Sequence, residues 1–529
     1  MKRMSGLFLA LAALVLPSSR SAVFAQESRA SCESADVVWL WKGALTSHSV
    51  TFKFGLAAHH GCDDRDFVLS ATPQRSEDDD EANAEDSSMA YTNLAMCRSV
   101  HIDEDDATDA PVMSCELLDL QHPQQTYRYS LSLLRRSPGV PHVVVKRGVF
   151  TTPAVEGQAF DFRFAFSSCA DEKSDPKVFD EIREHDPLFL LHMGDLHYHN
   201  IEINDVGRFR AAFNSLFDSP SGRAMLAMDV PFAYMWDDHD FGPDNSDKTA
   251  PGRNASLQVY REFVPHYELP GDQTAHGRQS AVYQAFTIGR VRFLVTDLRS
   301  HRTPNLAPDV PSKTVLGATQ KKWLKEELVL ATNDPSIGLI VWCSTMPWHD
   351  DERKWGYFTH EQRELVNYMQ AQGVNKWKPV VIVSGDAHML AVDDGSHSPG
   401  HLPVFHAAAL GRPGSIKGGP YSHGAFPGTG QYGLMDVEDD GKRVCLKYQG
   451  IRMGTGVLIE YDSCHPERTP PNATYYPPPK AFRPLQRRWK KVKRFLWENV
   501  FVVGATGSVL FAFLVVFVLQ QRRPKTKNE

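Results

Sequence analysis

The chain has 529 residues, of which 42% are hydrophobic and 23% are charged. This length and composition exclude a disordered or collagen-like chain and indicate two folded units with appendages. The net charge of −7 combines two opposite parts: residues 480–529 hold 12 basic and 2 acidic residues, so residues 1–479 carry −17. Such an acidic main body argues against a nucleic-acid groove, and no nucleic-acid partner is expected.

Residues 1–25 have the pattern of a cleaved secretory signal peptide. A basic start, MKRMSG, precedes the apolar run LFLALAALVL, and small residues lead up to Ala25. An uncleaved anchor is the alternative, but this run is too short to cross roughly 30 Å of hydrocarbon. The sequence therefore predicts cleavage after Ala25 and export of the rest of the chain.

Residues 36–152 contain short β runs separated by polar loops. Runs such as VVWLWKGALT, SVTFKFGLA and TYRYSLSLL have the spacing of an antiparallel β-sandwich domain. Six of the eight cysteines can form three disulfides in an oxidising compartment, with their pairing left open. They are Cys32, Cys62, Cys97, Cys115, Cys445 and Cys464. Cys343, inside an apolar run, is expected to be a buried free thiol.

Residues 158–465 alternate apolar runs with helical stretches, as in a layered α/β catalytic domain. The runs FRFAFSS, LFLLHM, FAYMW, RFLVT and VVIVS are continuous, which favours strands buried on both faces of a sheet. Two glycosylation sequons, at Asn254 and Asn472, are compatible with an exported glycoprotein.

The C-terminal part predicts a membrane anchor. A Pro-rich stalk and a basic juxtamembrane segment occupy residues 466–498, and residues 500–519 contain no charge, which predicts a transmembrane helix. The basic segment either lies on anionic headgroups or is a solvated helical face. The signal peptide predicts that residues 520–529 form a short cytoplasmic tail. A count of basic residues on the two sides of the span would by itself predict the opposite orientation. We expect a single-pass type I membrane protein whose catalytic domain is extracellular or luminal.

Polar side chains collect where five apolar runs end. They are Cys169, then Asp195 with His197, Tyr198 and His199, then Asp237, Asp238, His239 and Asp240 with Asn245, then Asp297 with Arg299, and Asp386 with His388. Ligands of open α/β sheets bind beyond the carboxyl ends of strands. Asp and Asn oxygens suit calcium, magnesium or manganese, whereas thiolate, phenolate and imidazole suit iron or zinc. Two such cations can bind phosphate oxygens and activate a water for attack on phosphorus.

Six motifs in chain order resemble the alkaline phosphatase D (PhoD-like) family of metallophosphatases. They are FRFAFSSCA, HMGDLHYHNI, MWDDHDFGPDNS, VTDLRS, GATQKKWLKEEL and VSGDAHM, over about residues 160–390. The resemblance implies a metallophosphatase-like fold and a phosphoric ester hydrolase with Fe(III) and one or two calcium ions. It implies an iron site of Cys169, Asp195, Tyr198 and His388. It also implies that Asp195 bridges to calcium, which Asn245 and Asp386 hold.

Two further residues are candidates for the chemistry itself. His239 is either a general acid or phosphate donor, or a group that supports a metal ligand. Arg299 either clamps phosphate in bidentate fashion or pairs with Asp297. One of Asp237 and Asp238 is expected to cap a turn, and the roles of His197 and His199 stay open.

The leading functional hypothesis is hydrolysis of a phosphomonoester or phosphodiester. One alternative is a phospholipase D-like phosphodiesterase at the membrane surface. Another is a catalytically inactive receptor on the same fold. That alternative requires a broken metal set, whereas every motif ligand is present in the sequence.

Overall fold

The structure is a computed structural model that describes residues 32–33, 36–57, 62, 66–74, 92–100, 111–134, 142–274, 276–349 and 353–466. The predicted signal peptide, the transmembrane helix and its flanking segments after residue 466 lie outside these residues. Within the described ranges, we find no helix with the length and apolar character to cross a bilayer.

The N-terminal strands form two antiparallel sheets that pack face to face. They are β1 (Val37–Thr46), β2 (Ser49–Leu56), β3 (Phe67–Pro73), β4 (Asn93–Met96), β5 (Arg98–Ser99), β6 (Val112–Leu117), β7 (Thr126–Leu133) and β8 (Val143–Thr151). One sheet contains β1-β2-β6-β5, and the other has the order β4-β3-β7-β8. Phe52 and Phe54 of β2 pack edge-on against Tyr129 and Phe67 across the interface. The alternating burial of β7 shows why its sequence forms a half-buried strand.

The remaining elements belong to the α/β part of the molecule. Its strands are β9 (Phe162–Ser167), β10 (Phe189–Met193), β11 (Phe232–Met235), β12 (Gln284–Ile288), β13 (Val291–Val295), β14 (Leu339–Cys343), β15 (Val380–Ser384), β16 (Met389–Asp393), β17 (Val404–Ala407), β18 (Ala425–Pro427), β19 (Gln431–Asp439), β20 (Arg443–Arg452) and β21 (Gly456–Pro466). The helices are α1 (Lys177–Glu184), α2 (Val206–Asp218), α3 (Pro220–Ala227), α4 (Asp238–Phe241), α5 (Arg253–Phe263), α6 (Gly317–Asn333) and α7 (Thr359–Gln372).

Two mixed sheets form the centre of this part, and helices cover their outer faces. The first sheet has the order β21-β20-β19-β9-β10-β11-β1-β2-β6-β5, and the second has the order β12-β13-β14-β15-β17-β16-β18. Phe164 and Leu191 of the first sheet belong to one core cluster with Phe293 and Val383 of the second. Helices α1, α2, α3 and α5 pack on the first sheet, and α6 and α7 pack on the second.

The predicted mixed α/β fold is confirmed, but its strands are arranged differently from the sequence expectation. The continuous apolar runs divide between two facing sheets, with β9, β10 and β11 parallel in one and β13, β14, β15 and β17 parallel in the other. Each run is continuous because one face packs on the other sheet and the opposite face packs on helices.

The N-terminal strands continue the first sheet of the α/β part. Strand β1 pairs in parallel with β11 at Gly43 and Phe232. A Cβ atom at position 43 would collide with the Phe232 carbonyl oxygen, so a glycine permits this close pairing. The β-sandwich and the α/β layers therefore share one sheet.

A buried polar group, which we call the inter-sheet cluster, fastens these parts together. Lys42 of β1 pairs with Asp229, which precedes β11, and donates to the Val149 carbonyl at 2.7 Å. The Tyr129 hydroxyl donates to Asp229 Oδ1 at 2.7 Å, and the Val149 N–H donates to Asp229 Oδ2 at 2.9 Å. Every charge in this cluster has a partner of opposite charge or a hydrogen bond.

Three disulfides are present, as predicted. They join Cys32 to Cys62, Cys97 to Cys115, and Cys445 to Cys464. The last joins directly opposite residues of β20 and β21. Cys343 and Cys169 are free and buried.

Candidate metal centre

Five strands of the two facing sheets end at one edge of the molecule, which we call the site edge. Strands β9, β10 and β11 lead to Cys169, Asp195 and Asp237, while β13 and β15 lead to Arg299 and Asp386. Direct contacts connect the two sheets here. The Asp386 N–H donates to Ser168 Oγ at 2.9 Å, and the Arg299 guanidinium reaches Asp237.

Left-handed backbone conformations recur at the site edge. Five of the six predicted metal ligands have positive φ angles: Cys169 (62°), Asp195 (53°), Asn245 (60°), Asp386 (52°) and His388 (52°). Residues with a side chain adopt this left-handed region at a cost of about 1–3 kcal/mol each, and such residues gather at functional sites. Tyr198 is the predicted ligand without this conformation. These residues keep an unfavourable backbone conformation. This indicates that the fold preserves the direction of their side chains at the expense of local backbone energy.

Four buried carboxylates converge at this edge, and we call them the acidic cluster. One oxygen each from Asp195, Asp237, Asp238 and Asp386 lies within 4.8 Å of the others. Asp195 also forms a second group with Asp238 and His239. Burial, followed by the charges of Asp238 and Asp237, raises the pKa of Asp195 well above its usual range. Carboxylates held this close out of water require positive charge.

Arg299 supplies part of that positive charge. Its Nε lies 2.5 Å from Asp237 Oδ1, and its Nη2 lies 3.1 Å from Asp238 Oδ1. Burial is the largest single effect and opposes ionisation of Asp238, but the positive charges of Arg299, His239 and Lys354 together outweigh it and lower the pKa of Asp238 to about 2. Arg299 is 1% exposed. Its guanidinium therefore pairs with two carboxylates of the cluster. This differs from both expected roles, which were a phosphate clamp and a partner of Asp297.

The expected partner of Arg299 is engaged elsewhere. The Asp297 carboxylate accepts hydrogen bonds from the backbone N–H groups of Val282 and Arg299 and from Ser300 Oγ at 2.6 Å. These bonds shape the turn after β13. Asp297 acts on the backbone of Arg299 and leaves its guanidinium to the acidic cluster.

Cys169 and Tyr198 lie on the same oxygen of Asp195. Cys169 Sγ is 3.6 Å and the Tyr198 hydroxyl is 3.2 Å from Asp195 Oδ2. Burial and the charges of Asp195 and Asp386 raise the pKa of the Cys169 thiol, and burial and Asp195 raise that of Tyr198. A bound cation would reverse this effect and favour thiolate and phenolate. The pair therefore offers a soft thiolate and a phenolate oxygen beside a carboxylate.

Asp240 and His239 complete the loop after β11. The Asp240 carboxylate accepts from the N–H groups of Asp195, Leu196 and Asp237 at 2.6–2.9 Å. His239 donates its backbone N–H to Asp195 Oδ1 at 3.2 Å, and its ring centroid lies 4.0 Å from that of Tyr198. Asp240 thus orients the loop through these backbone hydrogen bonds. The His239 ring lies at the border of the acidic cluster.

The predicted ligands Asn245 and His388 have weaker links to the cluster. Asn245 donates its backbone N–H to Asp238 Oδ2, while its side-chain amide donates to Asp244, each at 2.5 Å. His388 Nδ1 is 2.8 Å from the Pro413 carbonyl oxygen. His388 lies outside both groups of converging ligand atoms.

The two histidines that flank Tyr198 point elsewhere. His197 is fully buried, with its ring centroid 5.4 Å from that of His199. His199 Nε2 pairs with Glu172 at 2.6 Å. This contact raises the pKa of His199 above its ordinary value. Both rings therefore belong to the packing beside the site.

Sequence reasoning missed three cations at the site edge. Lys354 and Lys417 pair with Asp386, and the Arg412 guanidinium lies 4.1 Å from the Tyr198 ring centroid while it pairs with Asp171. Arg412 and Lys417 belong to the Gly-rich segment GRPGSIKGGP. Basic residues within a glycine-rich loop are a signal that could have identified these two. Lys354 has no comparable local signal.

A groove of about 820 Å³ opens beside His239. It lies between the loop at 199–205 and the exposed side of α2, including Arg208 and Ala211. Asn200, which lines this groove, has its Oδ1 atom 2.5 Å from His239 Nδ1. The groove is lined by residues outside the acidic cluster, and this contact between Asn200 and His239 connects the two.

The residues present fit a metal cation. Within the described part of the chain, Asp237 Oδ2 is buried and has no hydrogen-bond donor. The charges acting most strongly on Asp195 are those of other carboxylates. An unsatisfied buried oxygen next to an uncompensated carboxylate is the setting that a cation stabilises.

Comparisons with known proteins agree with this geometry. The family model for PhoD-like phosphatases matches residues 164–408. The chain is similar to the purple acid phosphatase PPD1 from yellow lupin (Lupinus luteus) seeds, with a TM-score of 0.51 and 13% identity over 80% of this chain and 73% of that chain. The TM-score indicates a shared fold, and at this low identity the similarity shows the fold alone.

A second solved structure is less informative. Bacteroides uniformis beta-glucuronidase 2 aligns at 9% identity over 82% of this chain and 61% of that chain, but a TM-score of 0.26 is too low to indicate a shared fold. No curated protein matches the chain significantly.

Proposed function

We propose that the protein is a metal-dependent hydrolase of phosphomonoesters or phosphodiesters, a function supported by the match of residues 164–408 to the family model for PhoD-like phosphatases. The observation that carries this proposal is the acidic cluster, in which four buried carboxylates converge within 4.8 Å. A metallophosphatase of the same fold supports it. Bound cations would supply Lewis acidity and lower the pKa of a water close to phosphorus.

We propose Fe(III) and calcium as the cations. Cys169 and Tyr198, on Asp195 Oδ2, offer the thiolate and phenolate that suit iron. Asp238 and Asn245 offer the oxygens that suit calcium. Asp195 would be shared, because it belongs to both groups of converging ligand atoms. His388 and Asp386, assigned by the family resemblance, would complete these sites.

The chain's own residues would orient the reaction. Arg299 holds Asp237 and Asp238 in place, and Asp240 fixes the loop that carries them. His239 lies between the acidic cluster and the groove, with an imidazole that is 13% exposed. We assign to it the transfer of a proton to the departing alcohol oxygen.

Elemental analysis combined with hydrolysis assays tests this function. Purified protein should contain iron and calcium and should hydrolyse 4-nitrophenyl phosphate or bis(4-nitrophenyl) phosphate, with activity lost on chelation. Hydrolysis of phospholipid vesicles in preference to both soluble esters would favour the phospholipase D-like alternative. Metal-loaded protein that hydrolyses none of these substrates would contradict the proposal.

The identity of the metal has a separate test. A phenolate on Fe(III) gives a visible absorption band, which Cys169→Ser and Tyr198→Phe should each bleach or shift. Asn245→Ala should weaken calcium dependence and leave the band unchanged. A colourless, fully active protein that contains zinc would overturn the iron assignment and leave the hydrolase proposal intact.

We also propose that the enzyme is a type I membrane protein with its catalytic domain outside the cytosol. The signal-like N-terminus and the uncharged segment at 500–519 support this, as do three disulfides, which are typical of oxidising compartments. A chain that ends before Lys480 should be secreted in active form. Its retention in the membrane fraction would show that another segment is the anchor.

A further inference from the structure

Asp386 differs from the other members of the acidic cluster because it has two ammonium partners. Lys354 Nζ contacts Asp386 Oδ2, and Lys417 Nζ lies 3.4 Å from Asp386 Oδ1 and 3.0 Å from its carbonyl oxygen. Asp386 alone therefore has more cationic partners than its own charge requires. Once metals neutralise the carboxylates of the cluster, the two ammonium groups can bind an anion.

The other three carboxylates of the cluster have fewer cationic partners. A single guanidinium serves Asp237 and Asp238, and carboxylates are the strongest charged neighbours of Asp195. Because the four carboxylate oxygens lie within 4.8 Å of one another, both lysines border the place where the carboxylates would hold a metal. A phosphate ester held there by metals would meet both lysines.

The two lysines are presented by different kinds of structure. Lys354 is 3% exposed and precedes Trp355, which packs against Trp348 with ring centroids 4.9 Å apart. Lys417 lies in the loop after β17, where its carbonyl accepts a hydrogen bond from the Tyr421 hydroxyl at 2.7 Å. Its side chain is 16% exposed. The Lys354 side chain is therefore buried in a packed environment, whereas the Lys417 side chain is partly exposed to solvent.

We propose that Lys354 and Lys417 bind the substrate phosphate and select the dianion of a monoester over the monoanion of a diester. This inference rests on the proposed function and names its substrate class. A lysine ammonium acts as a compact point charge, and its attraction to an anion grows with the charge of that anion. Loss of one lysine should therefore weaken binding of a dianion more than binding of a monoanion.

Anion binding to the metal-loaded full-length protein provides the direct test. Calorimetry at about pH 8 compares inorganic phosphate, largely dianionic, with dimethyl phosphate, a monoanion. Lys417→Gln should weaken binding of inorganic phosphate by about tenfold to a hundredfold, as expected for a charged hydrogen bond, and binding of dimethyl phosphate by a smaller factor. Lys417→Arg should retain most of the affinity, and metal content should be unchanged in both variants.

Lys313→Gln is the matched control. Lys313 is also 3% exposed, but its ammonium donates to the Asn305 carbonyl and lies over the Tyr357 and Phe358 rings. This variant should bind both anions as the wild type does. Lys354→Gln then tests the second lysine, with its thermal midpoint as the check on folding.

Kinetics add a second readout. The ratio of kcat/KM for 4-nitrophenyl phosphate to that for bis(4-nitrophenyl) phosphate should fall in Lys417→Gln. Unchanged affinity for inorganic phosphate, or equal losses for the two anions, would overturn the inference even if the enzyme is active. Lysine-dependent phosphate binding by a protein that hydrolyses no ester would support the lysine site and refute the proposed function.

Discussion

Strand β11 has a buried charged group at each of its ends, and the two groups differ in their charge balance. Before the strand, the inter-sheet cluster pairs the single charge of Lys42 with that of Asp229. After it, the acidic cluster places Asp237 and Asp238 on one guanidinium, with Asp195 beside them. The balanced group is complete within the chain and joins two parts of the fold. The unbalanced group has more carboxylates than cationic partners, which is the property on which the proposed metal site rests.

The largest expected effect comes from Asp195→Asn. The variant should lose at least about a thousandfold in kcat/KM together with its bound metal, because Asp195 is shared by both ligand groups. The metal-free variant should nevertheless unfold at a higher temperature than the metal-free wild type, because one of the four carboxylates that repel one another is gone. Elemental analysis, steady-state assays and thermal unfolding check these outcomes. Normal metal content and turnover would refute the bridging role.

Asp229→Ala should lower the stability of the fold and leave activity unchanged, which is the reverse of the outcome expected for Asp195→Asn. It leaves the Lys42 ammonium buried without its carboxylate, which is expected to cost about 3 kcal/mol in the free energy of unfolding. Folded variant should keep its metal content and kcat/KM. Urea unfolding measures the loss, with the exposed pair of Arg223 and Asp218 as a control through Asp218→Ala, where little change is expected. Equal effects of the two substitutions would show that the inter-sheet cluster does not stabilise the fold.

The pH dependence of stability gives a finer test of the balanced group. Burial lowers the pKa of Lys42 to about 8, and Asp229 offsets this only in part. The folded protein releases the proton near pH 8, whereas the unfolded chain retains it to about pH 10.5, so stability should rise across this window. The rise relative to Lys42→Met should be at most about 1.4 kcal/mol per pH unit. A constant difference between the two proteins would contradict the lowered pKa.

Tyr129→Phe should have the smallest effect. It removes one hydrogen bond of 2.7 Å to Asp229 and keeps the aromatic contact with Phe52. The expected loss is about 1 kcal/mol in the free energy of unfolding, with activity unchanged. A loss as large as that of Asp229→Ala would mean that the hydroxyl, and not the ion pair, holds the cluster together.

Local sequence patterns predicted much of the fold. The apolar runs at β1, β7 and β9 correspond closely to observed strands. These signals are local, because side-chain periodicity and burial act over a few residues. Strands β16 to β21 and helices α2 to α5 were not predicted.

The place of the candidate ligands was also evident from the sequence. Motifs directly after buried strands pointed to Cys169, Asp195 and Asp386, because ligands of open α/β sheets bind beyond the carboxyl ends of strands. That these residues bind metal stays a prediction. The pairing of the six cysteines was not evident from the sequence, because six cysteines can pair in fifteen ways. Proximity in the fold decides among them, as with Cys445 and Cys464 on neighbouring strands.

Only the tertiary structure decided how charge is distributed over the site. Arg299 meets Asp237 across 62 positions of the chain, and Lys354 and Lys417 reach Asp386 from opposite directions along it. Such pairs depend on which ends of two facing sheets come together, and no local pattern encodes that arrangement. The sequence by itself thus determined the strands and the chemistry of their ends. The packing of the two sheets decided which charges neutralise one another and which remain for ligands, because electrostatic energy depends on distance in space and not along the chain.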